Sequence, residues 1–340
     1  MELLKTSLDE YVAAEILKHD NLDNAFGDLI SRLAKSCTVI SNLIRKGSIS
    51  GSFGDIVDIN IQGEHQKKLD ILTNEIILDY CSKVDGLCAI ASEEMELPSC
   101  VETLGNKYLV LVDPLDGSSN IEVNGPVGTI ISILPAPKNE DIAIVEKFLQ
   151  PGTNQLGAIY VLYGPSTIMV ITLGDGVYEF INTPGTDKFI LSRKNIKIPN
   201  DTSEFGINAS NQRFWEEPVK RYISECLCGT EGNRKKNFNM RWVAAMVCDV
   251  HRIICRGGTF MYPIDEKTRN KGGRLRLMYE ANPMSFIVEQ AGGESSTGYH
   301  RILTVNPREL HQRVPVILGS KNEVQRLIRY HADYQVSKNK

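Results

Sequence analysis

The run Tyr108-Leu109-Val110-Leu111-Val112, followed at once by Asp113-Pro114-Leu115-Asp116-Gly117-Ser118-Ser119, constrains this chain more than any other stretch. Five uncharged residues rich in Val and Leu have the length and composition of a strand buried on both faces. Such a strand ends where charge begins. Pro114 removes a backbone donor and Gly117 permits a tight turn, so Asp113 and Asp116 are expected together at the carboxyl end, followed by two hydroxyls. That edge is where open α/β sheets bind ligands. Two carboxylates three apart on a turn, with the Leu115 carbonyl between them, can chelate a hard cation; a D-x-x-D pattern by itself is also a common solvated turn.

Composition narrows the classes. The 340 residues suffice for two moderate domains or one large one. The 38 basic and 42 acidic residues give a net charge of −4, too even to point to a nucleic-acid or polyanion-binding surface. Residues 1–18 mix charges among their apolar positions, so they form no signal-peptide core. The charge-free stretch 148–174 is broken by Gly164-Pro165-Ser166 and reads as two buried strands joined by a turn, not as a membrane span. Eight cysteines at 37, 81, 88, 100, 226, 228, 248 and 255 show no CxxC pairing, which suits reduced thiols and a cytoplasmic setting.

Along the chain, residues 24–46 place Phe26, Leu29, Ile30, Leu33, Cys37 and Ile40 at helical spacing, closing on Arg45-Lys46-Gly47. The Gly/Ser-rich 47–54 is either a mobile loop able to close over a site or a surface connector. A helix follows with Asp70 near its start, where a carboxylate also complements the helix dipole. The apolar run 87–91 ends in Ser92-Glu93-Glu94, a second buried strand delivering acids. Strands are expected over 127–134, 156–173, 177–181 and 189–191, making the first half helices followed by a mostly antiparallel sheet. The polar stretch 194–203 marks the expected domain boundary, giving domains 1–195 and 196–340. Beyond it the pattern predicts a strand at 205–209, helices at 214–226 and 241–255, strands at 259–262 and 275–279 with Glu280 at the end, a helix from Pro283 to Gln290, a strand at 314–318 and a closing helix at 322–331.

Acids therefore arrive at several separate element ends: Glu64, Asp70, Glu93, Glu94, Asp113, Asp116 and Glu280. If they converge, two bare carboxylates about 4 Å apart repel by roughly 4 kcal/mol at an effective dielectric of about 20, so the group demands cations. An all-oxygen site selects Mg²⁺ or Mn²⁺ over zinc. None of the six histidines forms an HExxH motif. Clustered cations suit phosphate-ester hydrolysis, among the slowest uncatalysed reactions.

The seven-residue run after an apolar strand resembles the signature of the magnesium-dependent, lithium-sensitive sugar and inositol phosphatases. With Ser92-Glu93-Glu94 and Leu277-Met278-Tyr279-Glu280, the chain resembles class I fructose-1,6-bisphosphatase from about Gly27 to the Val324 region. The resemblance implies an α+β fold in αβαβα layers, built as two mixed-sheet domains. It implies hydrolysis of the 1-phosphate of fructose 1,6-bisphosphate, in gluconeogenesis or the Calvin cycle, with roughly two or three Mg²⁺ per subunit or Mn²⁺ in their place. Glu93, Asp113, Asp116, Glu280 and the Leu115 carbonyl would hold metal, with Glu64 a further ligand on the loop side. Asp70 and Glu94 would orient and deprotonate the attacking water. Asp116, the Gly117-Ser118-Ser119 turn and Asn120 would contact the reacting phosphate and sugar. Asn208, Tyr262 and Arg274 match positions that hold the second phosphate, and Arg241 one that reaches in from a neighbouring subunit of a homotetramer. Read without the resemblance, Tyr262 is core packing, Arg241 and Arg274 are surface charges, and Asn208 is a turn residue.

Three departures from the family pattern stand out. Arg274 replaces the usual Lys, and Trp242 the usual Tyr, a ring that can only donate through its nitrogen. At the positions matching the family's inhibitory AMP site, Lys107 and Tyr108 remain. Phe26 and Ile30 replace threonines there and Pro135 replaces an arginine, so AMP inhibition is expected to be feeble or absent. A sedoheptulose-1,7-bisphosphatase, alone or as a second activity, is the rival within hydrolases, and Asn120 favours the fructose type. The non-enzymatic rival is a phosphate or metal sensor, against which the water-activating pair Asp70 and Glu94 speaks. No GxSxG and no GxxxxGK[ST] occurs.

Overall fold

Alternation along the central strands sorts their side chains into two separate cores. The computed structural model describes residues 6–47, 56–59, 65–101, 105–139 and 141–338; Glu64 and residues 48–54 of the Gly/Ser-rich stretch lie outside them. Helix α1 (Leu8–Ile16) opens on a capping box, in which the Glu10 N–H donates to Ser7 Oγ at 3.2 Å and the Ser7 N–H donates to Glu10 Oε2 at 2.7 Å. Helix α2 (Asn24–Lys46) is capped by Asp23 and buries the expected stripe from Phe26 to Ile40. The short pair β1 (Ile56–Ile59) and β2 (His65–Lys67) leads into α3 (Lys68–Cys81), which carries Asp70 in its first turn.

Eight strands make the large sheet: β3 (Leu87–Ser92), β4 (Ser99–Cys100), β5 (Tyr108–Asp116), β6 (Val127–Pro135), β7 (Gly157–Tyr163), β8 (Thr167–Thr172), β9 (Tyr178–Asn182) and β10 (Phe189–Arg193). Their spatial order is β10-β9-β8-β7-β6-β5-β3-β4. Only β3 and β5 run parallel, and every residue of both is buried. Val110, Val112, Ile131, Ile133, Ile159 and Val161 pack with α1, α2 and α3. Their neighbours Leu109, Leu111, Ile130, Leu134, Ala158 and Tyr160 face the opposite core. A period of two thus fills both faces of one sheet with apolar side chains.

After α4 (Ile144–Phe148), which lies between β6 and β7 in the chain, the second half adds three more layers. Helices α6 (Met246–Arg256) and α7 (Asn282–Gln290) share the second core with Phe260, Val316 and Leu318 of a smaller sheet. That sheet contains β11 (Glu204–Ile207), β12 (Asn239–Met240), β13 (Thr259–Tyr262), β15 (Glu294–Ser296) and β17 (Val316–Gly319), in the order β12-β11-β13-β17-β15. Its other face, through Phe205, Ile207, Met261 and Ile317, is covered by α5 (Glu217–Leu227) and α8 (Lys321–Lys338). The layers run helix, sheet, helix, sheet, helix, the αβαβα arrangement expected. A small pair, β14 (Leu275–Arg276) with β16 (Arg313–Val314), completes the fold. No helix among the described residues is long and apolar enough to cross a membrane.

Several boundaries differ from expectation, each for a local reason. The helix predicted over 241–255 starts only at Met246, because Ala244 sits at φ 66° and breaks helical continuity. The helix predicted from 214 starts at Glu217 behind a 3₁₀ turn, with Pro218 in the first turn where a missing N–H costs nothing. The strand predicted at 275–279 is only Leu275–Arg276; Leu277–Ala281 form a π-helical turn that feeds α7. Pro315 splits the strand predicted at 314–318 into β16 and β17.

Candidate active site

Strand β5 does not stop before its acids but runs on through Asp116, and it carries one extra residue on the way. Asp113 pairs with Ile130 and Asp116 with Gly128, so three steps along β5 match two along β6. Residues three apart on a regular strand face opposite sides. The bulge restores phase and brings both carboxylates to the same side. Pro114, which has no N–H to give a ladder, fits at such an irregularity. Its carbonyl accepts the Thr129 hydroxyl at 2.9 Å, and Asp113 Oδ1 accepts the Leu115 N–H at 3.1 Å. The Leu115 side chain belongs to the core beneath α2 and α3, which leaves its backbone for the cleft.

Gly117 then turns the chain at φ 77°, and an added Cβ would lie 2.5 Å from Ala245 Cβ. This close approach sets the start of α6 against β5. The Val247 N–H, in the first turn of α6, donates to Asp116 Oδ2 at 2.7 Å, placing an unsatisfied helix donor on a carboxylate. Asn120 steadies the same corner, its Nδ2 donating to the Pro126 and Val243 carbonyls at 3.2 Å each.

Around this corner lies a cleft of about 520 Å³ lined by Asp70, Glu93, Glu94, Asp113, Leu115, Asp116, Gly117, Ser118, Ser119, Tyr262, Arg274 and Glu280, among others. Glu93 follows directly on β3, and its N–H donates to the Val112 carbonyl of the parallel β5 at 3.0 Å. Glu280 arrives on the π-helical turn, its Oε2 accepting the Arg276 N–H at 2.6 Å. One carboxylate oxygen from each of Glu93, Asp113 and Glu280 lies within 4.8 Å of the others. At that spacing each ionised pair repels by about 3 kcal/mol at an effective dielectric of about 20. Burial, then Glu93, Asp116, Glu280 and Glu94, push the Asp113 carboxyl well above the usual carboxylate range. Asp116 is pushed up to about 8, burial outweighing the Val247 N–H that favours its charged form. Three converging buried oxygens held against their own repulsion suit a hard divalent cation.

Sequence reasoning missed two residues here. Arg276 is buried, lines the cleft and pairs with Glu93 through Nη1–Oε1 at 2.5 Å. Its signal was the Arg274-Leu275-Arg276 alternation, which places both guanidinium groups on one side of β14. Asp249 is fully buried on α6 and accepts the Val243 and Ala244 N–H groups at 3.2 Å each, with burial raising its carboxyl to about 6. It holds the strained approach to α6.

Comparison with known proteins places the chain. The fructose-1-6-bisphosphatase N-terminal domain family matches residues 6–194 and the corresponding C-terminal domain family residues 198–332. The chain belongs to the fructose-1,6-bisphosphatase family. It is 51% identical over 339 residues to a class 1 fructose-1,6-bisphosphatase of Halorhodospira halophila, covering 96% of this chain and 98% of that protein. The holo-form structure of Leishmania major fructose-1,6-bisphosphatase superposes with a TM-score of 0.89 at 36% identity, over 96% of this chain and 99% of that one. Its T-state structure gives 0.85 at 34%, over 97% and 99%.

Within this fructose-1,6-bisphosphatase fold, the remaining predicted residues fall into distinct places. Asn120, Asn208, Arg241 and Trp242 are not among the residues lining the cleft. Asn208 caps a 3₁₀ turn, its Oδ1 accepting the Ser210 N–H at 3.2 Å. Trp242 stacks on Phe260 with centroids 5.7 Å apart and meets Tyr262 edge-on at 5.1 Å, so it braces a cleft residue. Arg241 is exposed, with Glu204 at 3.9 Å. At the positions expected from the resemblance to match an AMP site, Asp23 accepts from the Lys107 ammonium and, at 2.8 Å, from the Tyr108 hydroxyl. Phe26 and Ile30 are fully buried beside them.

Proposed function

We propose that this chain hydrolyses the 1-phosphate of D-fructose 1,6-bisphosphate to fructose 6-phosphate and phosphate. The observation that carries the reading is the meeting of Glu93, Asp113, Asp116 and Glu280 in one cleft with the carboxylates of Asp70 and Glu94. Asp70 is almost wholly buried at the start of α3, and Glu94 follows the Glu93 ligand directly, so the cleft holds more acid than ligation needs. In this reading Asp70 and Glu94 orient water against the phosphorus and take its proton as the bond from phosphorus to the sugar oxygen breaks.

Glu93, Asp113, Asp116, Glu280 and the Leu115 carbonyl would hold Mg²⁺ or Mn²⁺, with Glu64 as a further ligand. The cations, when bound, supply positive charge against the phosphate and leaving oxygens and acidify the attacking water. Arg276 keeps Glu93 aimed into the cluster. The turn 117–119 would receive the reacting phosphate, and Tyr262 and Arg274, on the same cleft, the second one. Asn208 and Arg241 would act at that second phosphate, Arg241 across an interface of a homotetramer. A reducing, cytosolic setting belongs to the proposal and accords with eight free thiols, of which burial pushes Cys37 up to about 11 and Cys81 up to about 12.

The test is phosphate release from fructose 1,6-bisphosphate and sedoheptulose 1,7-bisphosphate with Mg²⁺, Mn²⁺ or EDTA. Turnover of the fructose substrate with either metal and none with EDTA is expected. Full turnover without divalent ions, or hydrolysis of the sedoheptulose substrate alone, would overturn the reading.

A further inference from the structure

A second set of metal-ligating side chains sits away from the cleft, near the carboxyl end of α6. His251 and Cys255 are four residues apart on that helix and therefore share a face. Glu179, buried, comes to them from β9. One ligand atom from each lies within 4.8 Å of the other two. Cys255 Sγ and His251 Nε2 are 3.6 Å apart. In a tetrahedral zinc site, metal–nitrogen and metal–sulfur bonds of about 2.0 and 2.3 Å put those atoms about 3.5 Å from each other, so the pair already stands close to ligand spacing.

The surroundings fit the same use. His251 Nδ1 lies 2.9 Å from the buried Tyr160 hydroxyl, the outer bond that fixes a ligating imidazole and leaves Nε2 for the metal. Burial holds His251 below its ordinary pKa and so in the neutral form that metals bind. Glu179 Oε1 accepts the Ser192 hydroxyl at 2.7 Å, which aims the carboxylate. Positive charge is already recruited here: Arg193 Nη1 lies 3.3 Å from Glu179 Oε2 and 2.9 Å from Cys255 Sγ. Its side chain is 39% exposed and can withdraw into solvent.

We propose that Glu179, His251 and Cys255 form a second cation site, for a borderline divalent ion of the Zn²⁺ type, with Arg193 as its competitor. Mixed carboxylate, imidazole and thiolate donors select such an ion over the Mg²⁺ suited to the all-oxygen cleft. On binding, the Cys255 thiol loses its proton to solvent as the sulfur–metal bond forms, and three protein ligands leave a fourth position for water. The ion ties β9 to the helix whose first turn holds Asp116.

The test is a Co²⁺ titration of the whole protein in excess Mg²⁺, which keeps the oxygen cleft supplied. Tetrahedral visible bands with a thiolate-to-cobalt charge-transfer band are expected at one equivalent, displaced by Zn²⁺. Cys255→Ser should remove the charge-transfer band and His251→Gln should weaken binding at least about tenfold. Cys248→Ser, on the same helix but outside the cluster, should change neither. Arg193→Gln should tighten binding about tenfold or more, since it removes a like charge within about 4 Å. A charge-transfer band that survives Cys255→Ser, no such band at all, or weaker binding in Arg193→Gln would overturn the site. Should His251→Gln fail to fold, the Cys255 and Arg193 variants, both at the surface, still decide.

Discussion

Replacing Gly117 by alanine probes the corner on which the proposed catalytic acids depend. At φ 77° a non-glycine residue costs about 1–2 kcal/mol. The new methyl would start 2.5 Å from Ala245 Cβ, well inside the carbon–carbon contact distance of about 3.5–4.0 Å, and 3.2 Å from Ala245 Cα. Relieving such an overlap typically costs about 1–3 kcal/mol more. Gly117→Ala is therefore expected to destabilise the protein by about 2–5 kcal/mol in urea unfolding. Because Ala245 immediately precedes α6, relief by displacement also draws the Val247 N–H away from Asp116, and turnover at saturating Mg²⁺ should fall more than about tenfold. Adding Ala245→Gly separates the two contributions. The double variant should be destabilised by about 1–3 kcal/mol less than the sum of the singles, leaving the backbone cost in place. Additivity within about 0.5 kcal/mol, or a Gly117→Ala enzyme as stable and active as the parent, would refute the argument.

Asp70→Asn should lower kcat by about 10²–10⁴-fold while calorimetric binding of a substrate analogue stays intact, and equal losses in both would remove its assigned proton-transfer role. AMP should leave activity essentially unchanged, because Asp23 occupies Lys107 and Tyr108 and Phe26 fills the space beside them; strong inhibition at low micromolar AMP contradicts this. The apparent affinity for Mg²⁺ should rise with pH and level off near about 8. The Asp116 carboxyl, pushed up to about 8, carries a proton below that pH, and the metal must displace it. A half-saturating Mg²⁺ concentration that is flat across neutral pH would count against it.

Most of the sheet was legible because its strands are apolar on both faces and its turns carry Gly, Pro and Asn. The acids at Glu93, Asp113 and Asp116 were legible at the ends of buried strands; Glu280 was expected at a strand end but lies on the π-helical turn, and the family motif joined all four. Their partners were not. Arg276 meets Glu93 only once β14 and β3 are brought together from distant parts of the chain, so the Arg274-Leu275-Arg276 alternation marks a shared side without naming the partner. The π-helical turn at Leu277–Ala281 hid behind strand-forming residues, since Leu, Met and Tyr are buried equally well in either geometry. The late start of α6 depends on Ala244 and on the Asp249 carboxylate that holds the preceding N–H groups, a tertiary constraint that helical spacing does not register.

The miscounted pairing between β5 and β6 makes this corner sensitive to length as much as to chemistry. Inserting a single residue in β6 between Gly128 and Ile130 would return the ladder to even stepping, three against three, and send one carboxylate toward the oily layer beneath α2 and α3, however conservative the rest of the sequence remained. Side-chain changes at position 115 leave that count untouched, so the enzyme should forgive a different letter there more readily than an extra one across the ladder.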